Sequence, residues 1–484
     1  MKKITNKVLW IFAVGQFGWS LLSGIISSWM VYYYTGENAA FSSNISTQPL
    51  FLGLTLFGII TAVGRIFDAV TDPLIAGWSD RSNFKGGRRI PFMKVIAIPF
   101  AAITVGVFAF PQTGSIIAND AILLFYLFMT IYCTPYNALI AELGDTQKNR
   151  INVSTYISFT YIAGFSVAYL LPNLAGLFES AMGRANSVRL AIAILAAIAA
   201  IAMLVPSFFI KEREYISSVP VKTKAFSSLF KSFKNGQFRR FVYSDVIYFF
   251  AVTLFQTGLA FYITRLMHAD EGNSFILTVI MTVVSLCLYP AVNKLAPKFG
   301  KKKLIIVGFF TYAAVFLITV FCGEGMVWGY IIAVAAGVPM AILGILPQAV
   351  VADIAEADAL ESGEQRSGMF FAARTFAMKM GQALSLLIFT SMTVSGSEFS
   401  YRATAIVATV FCVIGAVLFF LYNEKLVMGK ISKPAAANNL ETAGAQIAGE
   451  NLAEASVTES ADGAASETET SENAKTPADH RDEE

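Results

Sequence analysis

The chain has 484 residues, of which 55% are hydrophobic and 14% are charged, and its mean hydropathy is +0.59. This composition excludes an ordinary soluble domain, in which about 25% of the residues are charged. The net charge of +3 gives no indication of nucleic-acid binding, and the sequence contains no Walker A loop that would cradle ATP. We therefore expect a membrane protein surrounded by lipid, and not an enzyme.

Twelve apolar segments are each long enough to cross a bilayer as a helix, which takes about 20 residues. They lie at residues 8–34, 50–78, 95–110, 121–143, 154–178, 188–210, 241–267, 275–295, 304–322, 327–351, 369–393 and 403–421. The pattern predicts an all-α membrane protein of two six-helix bundles. The predicted divisions are an N-terminal bundle at 1–210, a cytoplasmic linker at 211–240, a C-terminal bundle at 241–422 and an acidic tail at 423–484. We expect the tail to be disordered, because it has too little apolar surface to offset the entropy lost on ordering.

Basic residues are concentrated before the first segment and in every second loop after it, in loops 2/3, 4/5, 6/7 and 8/9. Lys and Arg are retained on the cytoplasmic side of a membrane. The sequence therefore predicts a multi-pass protein of the plasma (inner) membrane with both termini in the cytoplasm. Tyr32, Tyr33 and Tyr34 end the first segment, and we expect them to form an aromatic belt at the membrane interface.

Four cysteines lie singly within apolar segments, at Cys133, Cys287, Cys322 and Cys412, and the chain has only two histidines. Cysteines in such positions are typical packing residues, and two distant histidines do not suggest a zinc or haem site. We expect no disulfide, no structural metal and no cofactor.

The second segment contains three ionisable residues, Arg65, Asp68 and Asp72, whose spacing of i, i+3 and i+7 places them on one face of a helix. Each costs about 2.5–3.5 kcal/mol inside a membrane, so the face must line an interior cavity. Two carboxylates one turn apart repel each other, which predicts either a bound cation or a proton held by one of them. Oxygen ligands suit a hard cation such as Na⁺.

Lys379 interrupts the eleventh segment and needs an acidic partner. Asp68 or Asp72 is the candidate, because the two half-bundles face each other, and Arg65 would neutralise part of the remaining charge. Other polar residues within the segments could line the cavity or could instead form packing hydrogen bonds between helices. They are Gln16, Ser20, Asn137, Tyr156, Gln256 and Gln382.

Charged residues near the predicted cytoplasmic ends form a second group. They are Asp80, Arg81, Arg88, Arg89, Glu142, Asp145, Asp353, Glu356 and Arg366. Similar sequences recur in both halves, as an internal duplication would produce. We interpret these residues as a cytoplasmic gate, in which ion pairs between the bundles close the inner side. The alternative is a solvated charged surface.

The sequence from Arg65 to Pro73, followed by Gly87, Arg88 and Arg89, resembles the glycoside-pentoside-hexuronide:cation symporters of the major facilitator superfamily. The resemblance covers residues 5–425. It implies the major facilitator fold and uptake of a small solute, usually a sugar derivative, together with Na⁺, Li⁺ or H⁺ by alternating access.

By this resemblance Asp68 and Asp72 are cation-binding carboxylates, Thr130 is a further ligand, Thr71 stands at a neighbouring position of the site, and Lys379 lies nearby. The sugar-binding positions depart from the family pattern. Ser20 replaces an acid of helix 1, while Cys133 and Asn137 replace an acid and a tryptophan of helix 4. Galactosides are therefore not expected, whereas an anionic glycoside, a sulfonated sugar or a more apolar solute stays open.

Three functions are compatible with these residues. The first is a cation-coupled symporter for a sugar or sugar derivative, which we expect to act as a monomer with a small-molecule solute as its only partner besides lipid. The second is a proton-coupled exporter, or a carrier of a non-sugar or lipid-like solute. The third is a membrane sensor or scaffold that transports nothing. The paired acids within the membrane favour the first.

Overall fold

The computed structural model describes residues 4–35, 40–41, 49–51, 53–82, 84–109, 115–143, 147–215, 231–362 and 367–431. Its helices are α1 (Asn6–Tyr34), α2 (Leu56–Arg81), α3 (Ile90–Ala109), α4 (Ser115–Leu143), α5 (Gln147–Ala168), α6 (Leu171–Met182), α7 (Arg184–Phe209), α8 (Glu212–Tyr215), α9 (Gly236–Phe261), α10 (Asn273–Phe299), α11 (Lys301–Phe321), α12 (Met326–Ser362), α13 (Ser367–Met392), α14 (Glu398–Phe419) and α15 (residues 424–431). A π-helical turn, Tyr262–Leu266, continues α9.

Two short antiparallel strands precede α2. They are β1 (Pro49–Phe51) and β2 (Leu54–Thr55). The turn between them contains Gly53, whose φ of +78° suits glycine because other residues rarely adopt it. The second helix therefore begins at Leu56, six residues later than the apolar segment suggested, because the start of that segment forms this hairpin.

Ten helical stretches in the described part of the chain are long and apolar enough to cross a membrane. Two of these are composite, since α5 and α6 act as one crossing and α9 includes the π-helical turn. Helices α2 and α13 are not among the ten, in keeping with the ionisable residues that both carry. Counting α2 and α13, there are twelve crossings, which confirms the predicted all-α fold.

The two bundles repeat one packing pattern. In the N-terminal bundle α1 packs against α5 and α7, α3 packs against α4 and α7, and α2 packs against α4. In the C-terminal bundle α9 packs against α13 and α14, α11 packs against α12 and α14, and α10 packs against α12. The bundles meet chiefly where α2 packs against α13 and α1 packs against α9. The weak repeat in the sequence therefore corresponds to a repeat in three dimensions.

A buried glutamate joins the end of the N-terminal bundle to the loop before α3. The carboxylate of Glu212, in α8, accepts hydrogen bonds from the backbone N–H groups of Arg88, Arg89 and Ile90 at 2.8, 2.9 and 3.0 Å. A negative charge at this position satisfies N–H groups that the helix itself leaves unpaired. Gly87 precedes them at a φ of +122°, and a side chain there would collide with Glu212.

The C-terminal bundle contains the same arrangement. Glu424, in α15, accepts hydrogen bonds from the backbone N–H groups of Lys301 and Lys302 at 2.7 and 3.0 Å, and Gly300 precedes them at a φ of +87°. Residues 424–431 are helical, so the ordered chain extends past the predicted start of the tail at 423. The reason is that Glu424 ties this segment to α11. Residues 432–484 lie outside the described part of the chain.

We predict that Glu212→Ala lowers the free energy of unfolding by at least about 3 kcal/mol, because three buried N–H groups lose a charged acceptor. Glu212→Gln should have a smaller effect, since one acceptor oxygen remains. Thermal unfolding in detergent measures both, with Glu179→Gln on the exposed surface of α6 as the control. Equal stability of Glu212→Ala and the control would show that the carboxylate does not hold α3.

Candidate functional site

Two carboxylates of α2 are held by hydroxyl groups of α4. Asp68 is fully buried, and its Oδ1 accepts a hydrogen bond from Thr130 Oγ1 at 2.5 Å. Asp72 lies one turn further on, and its Oδ1 accepts a hydrogen bond from Thr134 Oγ1 at 3.1 Å. The spacing of i and i+4 on both helices aligns the two pairs, so that each acid faces its own threonine. We call Asp68, Asp72, Thr130 and Thr134 the carboxylate centre.

Lys379 of α13 reaches the carboxylate centre from the other bundle. Its Nζ lies 2.8 Å from Asp68 Oδ1 and 2.6 Å from Asp72 Oδ2, and its side chain is only 9% exposed. The structure thus pairs Lys379 with both of the carboxylates that the sequence offered as partners. One ammonium group spans the interface between the two bundles.

Arg65 is held more loosely. Its guanidinium lies 3.8 Å from Asp68 Oδ2, donates a hydrogen bond to Ser27 Oγ at 3.1 Å, and stacks on the ring of Tyr126 at 4.9 Å from the ring centre. Arg65 and Lys379 together balance the two negative charges. Lys379 makes the closer contacts and therefore supplies most of the local compensation.

One oxygen of the carboxylate centre lacks a hydrogen-bond donor. Asp68 Oδ2 is buried, and no described residue donates a hydrogen bond to it. Buried carboxylate oxygens are normally paired, because removing them from water is costly. Thr71 adds a further oxygen nearby, since its hydroxyl lies 3.3 Å from Thr130 Oγ1. Carboxylate and hydroxyl oxygens grouped in this way suit a hard monovalent cation.

The residues that the sequence suggested for a substrate cavity do not contact the carboxylate centre through any described hydrogen bond, and three of them make other contacts. Ser20 is fully buried and donates its hydroxyl hydrogen bond to Phe17 O at 3.0 Å, so it packs inside the bundle between α1 and α5. Gln16 is buried, and its Oε1 has no described partner. Tyr156 stacks on Trp10 with ring centres 4.3 Å apart.

The other four cavity candidates are more accessible to solvent. Cys133 and Gln382 are half-buried, and Asn137 is exposed. Gln256 is half-buried, and its backbone carbonyl accepts a hydrogen bond from Tyr169 at 3.5 Å. Within the described part of the chain, no hydrogen bond links any of the seven cavity candidates to Asp68 or Asp72. Their role in solute binding stays a prediction.

The predicted gate residues of the N-terminal half pair within one bundle. Glu142 lies 2.9 Å from Arg88 and 2.7 Å from Arg89, and Arg89 also lies 3.2 Å from Asp80. Burial raises the pKa of Glu142, although Arg89 and Arg88 oppose the shift. Burial lowers the pKa of Arg89, against the effect of Glu142 and Asp80. These contacts tie α2, α3 and α4 together, and they do not join the two bundles as the predicted gate would.

The C-terminal half follows the same rule. Lys301 pairs with Asp353 at 2.5 Å inside its own bundle. Arg81 and Glu356 have exposed side chains. Asp145 and Arg366 lie outside the described residues. In this conformation the described ion pairs therefore do not close the cytoplasmic side between the bundles, as the gate prediction expected. The bundles contact each other towards the opposite end.

At the end opposite the basic loops, the two bundles are joined through one glutamate. Glu271, in the loop after α9, accepts hydrogen bonds from Tyr32 Oη and from an Arg184 guanidinium nitrogen, each at 2.7 Å. Tyr32 and Arg184 belong to the N-terminal bundle and Glu271 to the C-terminal bundle. Tyr32, Tyr33 and Tyr34 are buried and therefore do not form the expected interfacial belt. We call Tyr32, Arg184 and Glu271 the latch.

Other hydrogen bonds between the two bundles lie in the same half of the molecule as the latch. Thr257 Oγ1 donates to Ser27 O at 3.3 Å, and the N–H of Thr55 donates to Ser391 Oγ at 3.3 Å. All the hydrogen bonds described between the bundles run from the carboxylate centre towards the latch. The bundles are therefore closed at the end opposite the basic loops.

A buried ion pair in the C-terminal bundle was not predicted as a pair. Arg374 of α13 makes a bidentate contact with Asp245 of α9, at 2.7 and 3.0 Å. Asp245 and Arg374 each interrupt an apolar segment, so the cost of an unpaired charge was a signal available in the sequence. Glu271 gave no such signal, because it lies in a polar loop.

Comparisons with known proteins identify a family and a fold. The family described as "MFS/sugar transport protein" matches residues 11–432. The uncharacterized symporter YnaJ of Bacillus subtilis is 23% identical over 398 residues, covering 79% of this chain and 82% of the relative. The sodium-dependent lysophosphatidylcholine symporter 1 of Gallus gallus is 25% identical over 388 residues, covering 71% of each chain. The lactose permease of Lactobacillus helveticus is 23% identical over 317 residues, covering 61% of this chain and 48% of the permease.

Solved structures share the fold. A mutant of the nucleoside transporter NupG superposes with a TM-score of 0.64 at 15% identity, covering 86% of this chain and 99% of that one. A bacterial homolog of the human lysosomal transporter Spinster, in an inward-facing conformation, has a TM-score of 0.62 at 15% identity and covers 88% and 97% of the two chains. At this level of identity the likeness establishes the fold alone.

We predict that Glu271→Ala opens the latch end, because it removes the acceptor for both Tyr32 and Arg184. A cysteine introduced by Thr257→Cys, in a chain that also carries Cys287→Ser, should then be alkylated at least about tenfold faster, as expected for the loss of one charge-assisted hydrogen bond or more. The matched control is Asp120→Asn, an exposed acid of α4. Equal alkylation rates in both variants would show that the latch does not hold the bundles together.

Proposed function

Since the chain belongs to the family of MFS/sugar transport proteins, and is therefore a membrane transporter and not an enzyme, we propose that it is a symporter coupling uptake of a small solute to Na⁺. The cation is held by Asp68 and Asp72, with Thr130 and Thr71 beside them. The observation that carries this assignment is the buried Asp68 Oδ2, which accepts no hydrogen bond from a described residue and has the Arg65 guanidinium at 3.8 Å as its ion-pair contact. The protein lies in the inner membrane, and the basic end of the bundles faces the cytoplasm.

The coupling step is an exchange of positive charges. In the present conformation the Lys379 ammonium lies between the carboxylates of Asp68 and Asp72. A cation bound by the oxygens of α2 and α4 compensates the same negative charge, so Lys379 is released from α2. Since Lys379 belongs to the other bundle, its release loosens the contact between α2 and α13. A local electrostatic change at the carboxylate centre thereby alters how the bundles meet.

The grouped carboxylate and hydroxyl oxygens favour a metal cation, Na⁺ or Li⁺, over H⁺, because several oxygens coordinate one metal ion whereas a proton bonds covalently to a single oxygen. A proton would also release Lys379, by neutralising one carboxylate. Relatives whose printed name includes "sodium-dependent" align with 71% of this chain, which supports Na⁺ as the coupling cation. No other cofactor is involved, and one chain contains the complete carboxylate centre.

The solute we propose is a sugar derivative carrying a polar or anionic group. Cation binding frees Lys379, and the freed ammonium with Arg65 then offers positive charge to the solute. A second candidate is a lipid-like solute, favoured by the similarity to lysophosphatidylcholine symporters, by the lack of acids at Ser20 and Cys133, and by the lack of a tryptophan at Asn137. Competition between the two solute classes for uptake into proteoliposomes separates these candidates.

We predict that Asp68→Asn and Asp72→Asn each reduce Na⁺-gradient-driven uptake to the level of vesicles without protein. The amide keeps the hydrogen bonds to Thr130 and Thr134 but removes the charge that binds the cation. The assay is uptake of a candidate glycoside into proteoliposomes, with Asp120→Asn as the exposed control and thermal unfolding as the check on folding. Normal gradient-driven uptake by both variants would overturn the assignment.

We predict that Lys379→Gln binds Na⁺ at least about tenfold more tightly than the unaltered chain, because the cation no longer competes with an ammonium group. Without Na⁺ the variant should be less stable, since the carboxylates of buried Asp68 and half-buried Asp72 lose their partner. The measurement is the midpoint of thermal unfolding as Na⁺ is titrated, with the exposed Lys303→Gln as the control. An unchanged Na⁺ midpoint would mean that Lys379 does not occupy the cation position.

A further inference from the structure

A second candidate binding site lies at the basic end of the C-terminal bundle, away from the carboxylate centre. A cavity of about 640 Å³ opens there between the start of α9, the end of α12 and the terminal helix α15. This volume lies within the range of small-molecule pockets, about 300–1,000 Å³. Its walls include residues of all three helices, so the space is formed by tertiary packing and not by one loop.

The cavity carries an excess of positive charge. Four basic side chains and two carboxylates line it. Glu361 is already paired with Lys430 at 2.5 Å, and Asp358 accepts a hydrogen bond from Asn235 Nδ2 at 3.0 Å. Among the described residues, no carboxylate pairs with the other three basic side chains. These are Lys231, Lys234 and Arg240.

The wall beside these cations is fixed by one asparagine. Asn235 Oδ1 accepts hydrogen bonds from the N–H groups of Gln237 and Phe238 at 3.0 and 3.1 Å, which caps α9. The same side chain donates to Asp358 on α12. The cap therefore joins α9 to α12 and sets the distance across the cavity before any ligand arrives. A preformed wall lowers the entropy lost on binding.

We propose that this cavity binds the phosphate group of an anionic molecule, with Lys231, Lys234 and Arg240 as the contacts. A general excess of basic residues on one side of a membrane protein explains scattered exposed lysines. It does not explain why three cations that pair with no described carboxylate line the same cavity. The site lies next to the membrane ends of α9 and α12, where basic pockets recruit anionic headgroups. Leu426 gives the cavity an apolar side that suits the start of a lipid acyl chain.

Two sources of the phosphate group can be distinguished with the full-length protein. The cavity variant is the triple Lys231→Gln, Lys234→Gln and Arg240→Gln. The control variant is Lys294→Gln, Lys298→Gln and Lys303→Gln, which removes the same charge from equally exposed positions at the same end that do not line the cavity. One arm compares nanodiscs of phosphatidylcholine with and without phosphatidylglycerol. The other compares inorganic phosphate with chloride at equal ionic strength. Thermal unfolding and native mass spectrometry of retained lipid are the readouts.

The unaltered chain and the control should be stabilised by phosphatidylglycerol or by phosphate, whereas the cavity variant should bind at least about tenfold more weakly. Stabilisation in the lipid arm identifies a headgroup, and stabilisation in the phosphate arm alone identifies a soluble ligand. Arg240→Gln alone provides a milder test if the triple variant folds poorly. Equal responses of the cavity and control variants, or no response of the unaltered chain in either arm, would overturn the proposal. The site does not depend on the proposed transport function.

Discussion

The contact on which the rest of the structure depends is a single ammonium group shared between two carboxylates inside the membrane. Asp68 and Asp72 are too costly to bury unpaired, and Lys379 supplies the compensating charge from the opposite bundle. One electrostatic requirement therefore also holds the two halves of the molecule together. Under the proposed function, a cation that meets the same requirement from within α2 and α4 frees the lysine, and the site then links ion binding to bundle movement.

The remaining charged clusters divide into those that stay within a bundle and those that join bundles. Glu212 and Glu424 each cap a helix of their own bundle, and the ion pairs near them also stay within one bundle. These contacts make each half rigid. The latch residue Glu271 instead joins the halves at the end opposite the basic loops. Rigid halves held by few contacts at one end are what a rocking movement around a central site requires.

The fold and the functional importance of the α2 acids could be predicted from the sequence, because in each case the alternative costs a large free energy. Twelve apolar segments must be helices in lipid, and charged residues inside such segments need a partner. The partners of Glu142 and Tyr32 were harder to predict, because a charge or a phenol near a membrane surface is inexpensive whichever neighbour it contacts. Glu271 lies in a polar loop, where a carboxylate can be solvated and so does not require a partner. The hairpin before α2 was missed because its residues are as apolar as a membrane segment.

The most direct test of Na⁺ binding at the carboxylate centre is a structure determined with saturating Na⁺, in which the position of Lys379 is measured relative to Asp68 and Asp72. We predict an ion coordinated by oxygens of both carboxylates, and a Lys379 Nζ that has moved beyond hydrogen-bonding distance of at least one of them. A transport-competent protein in saturating Na⁺ that still has the ammonium bridging both carboxylates, with no ion beside them, would contradict it.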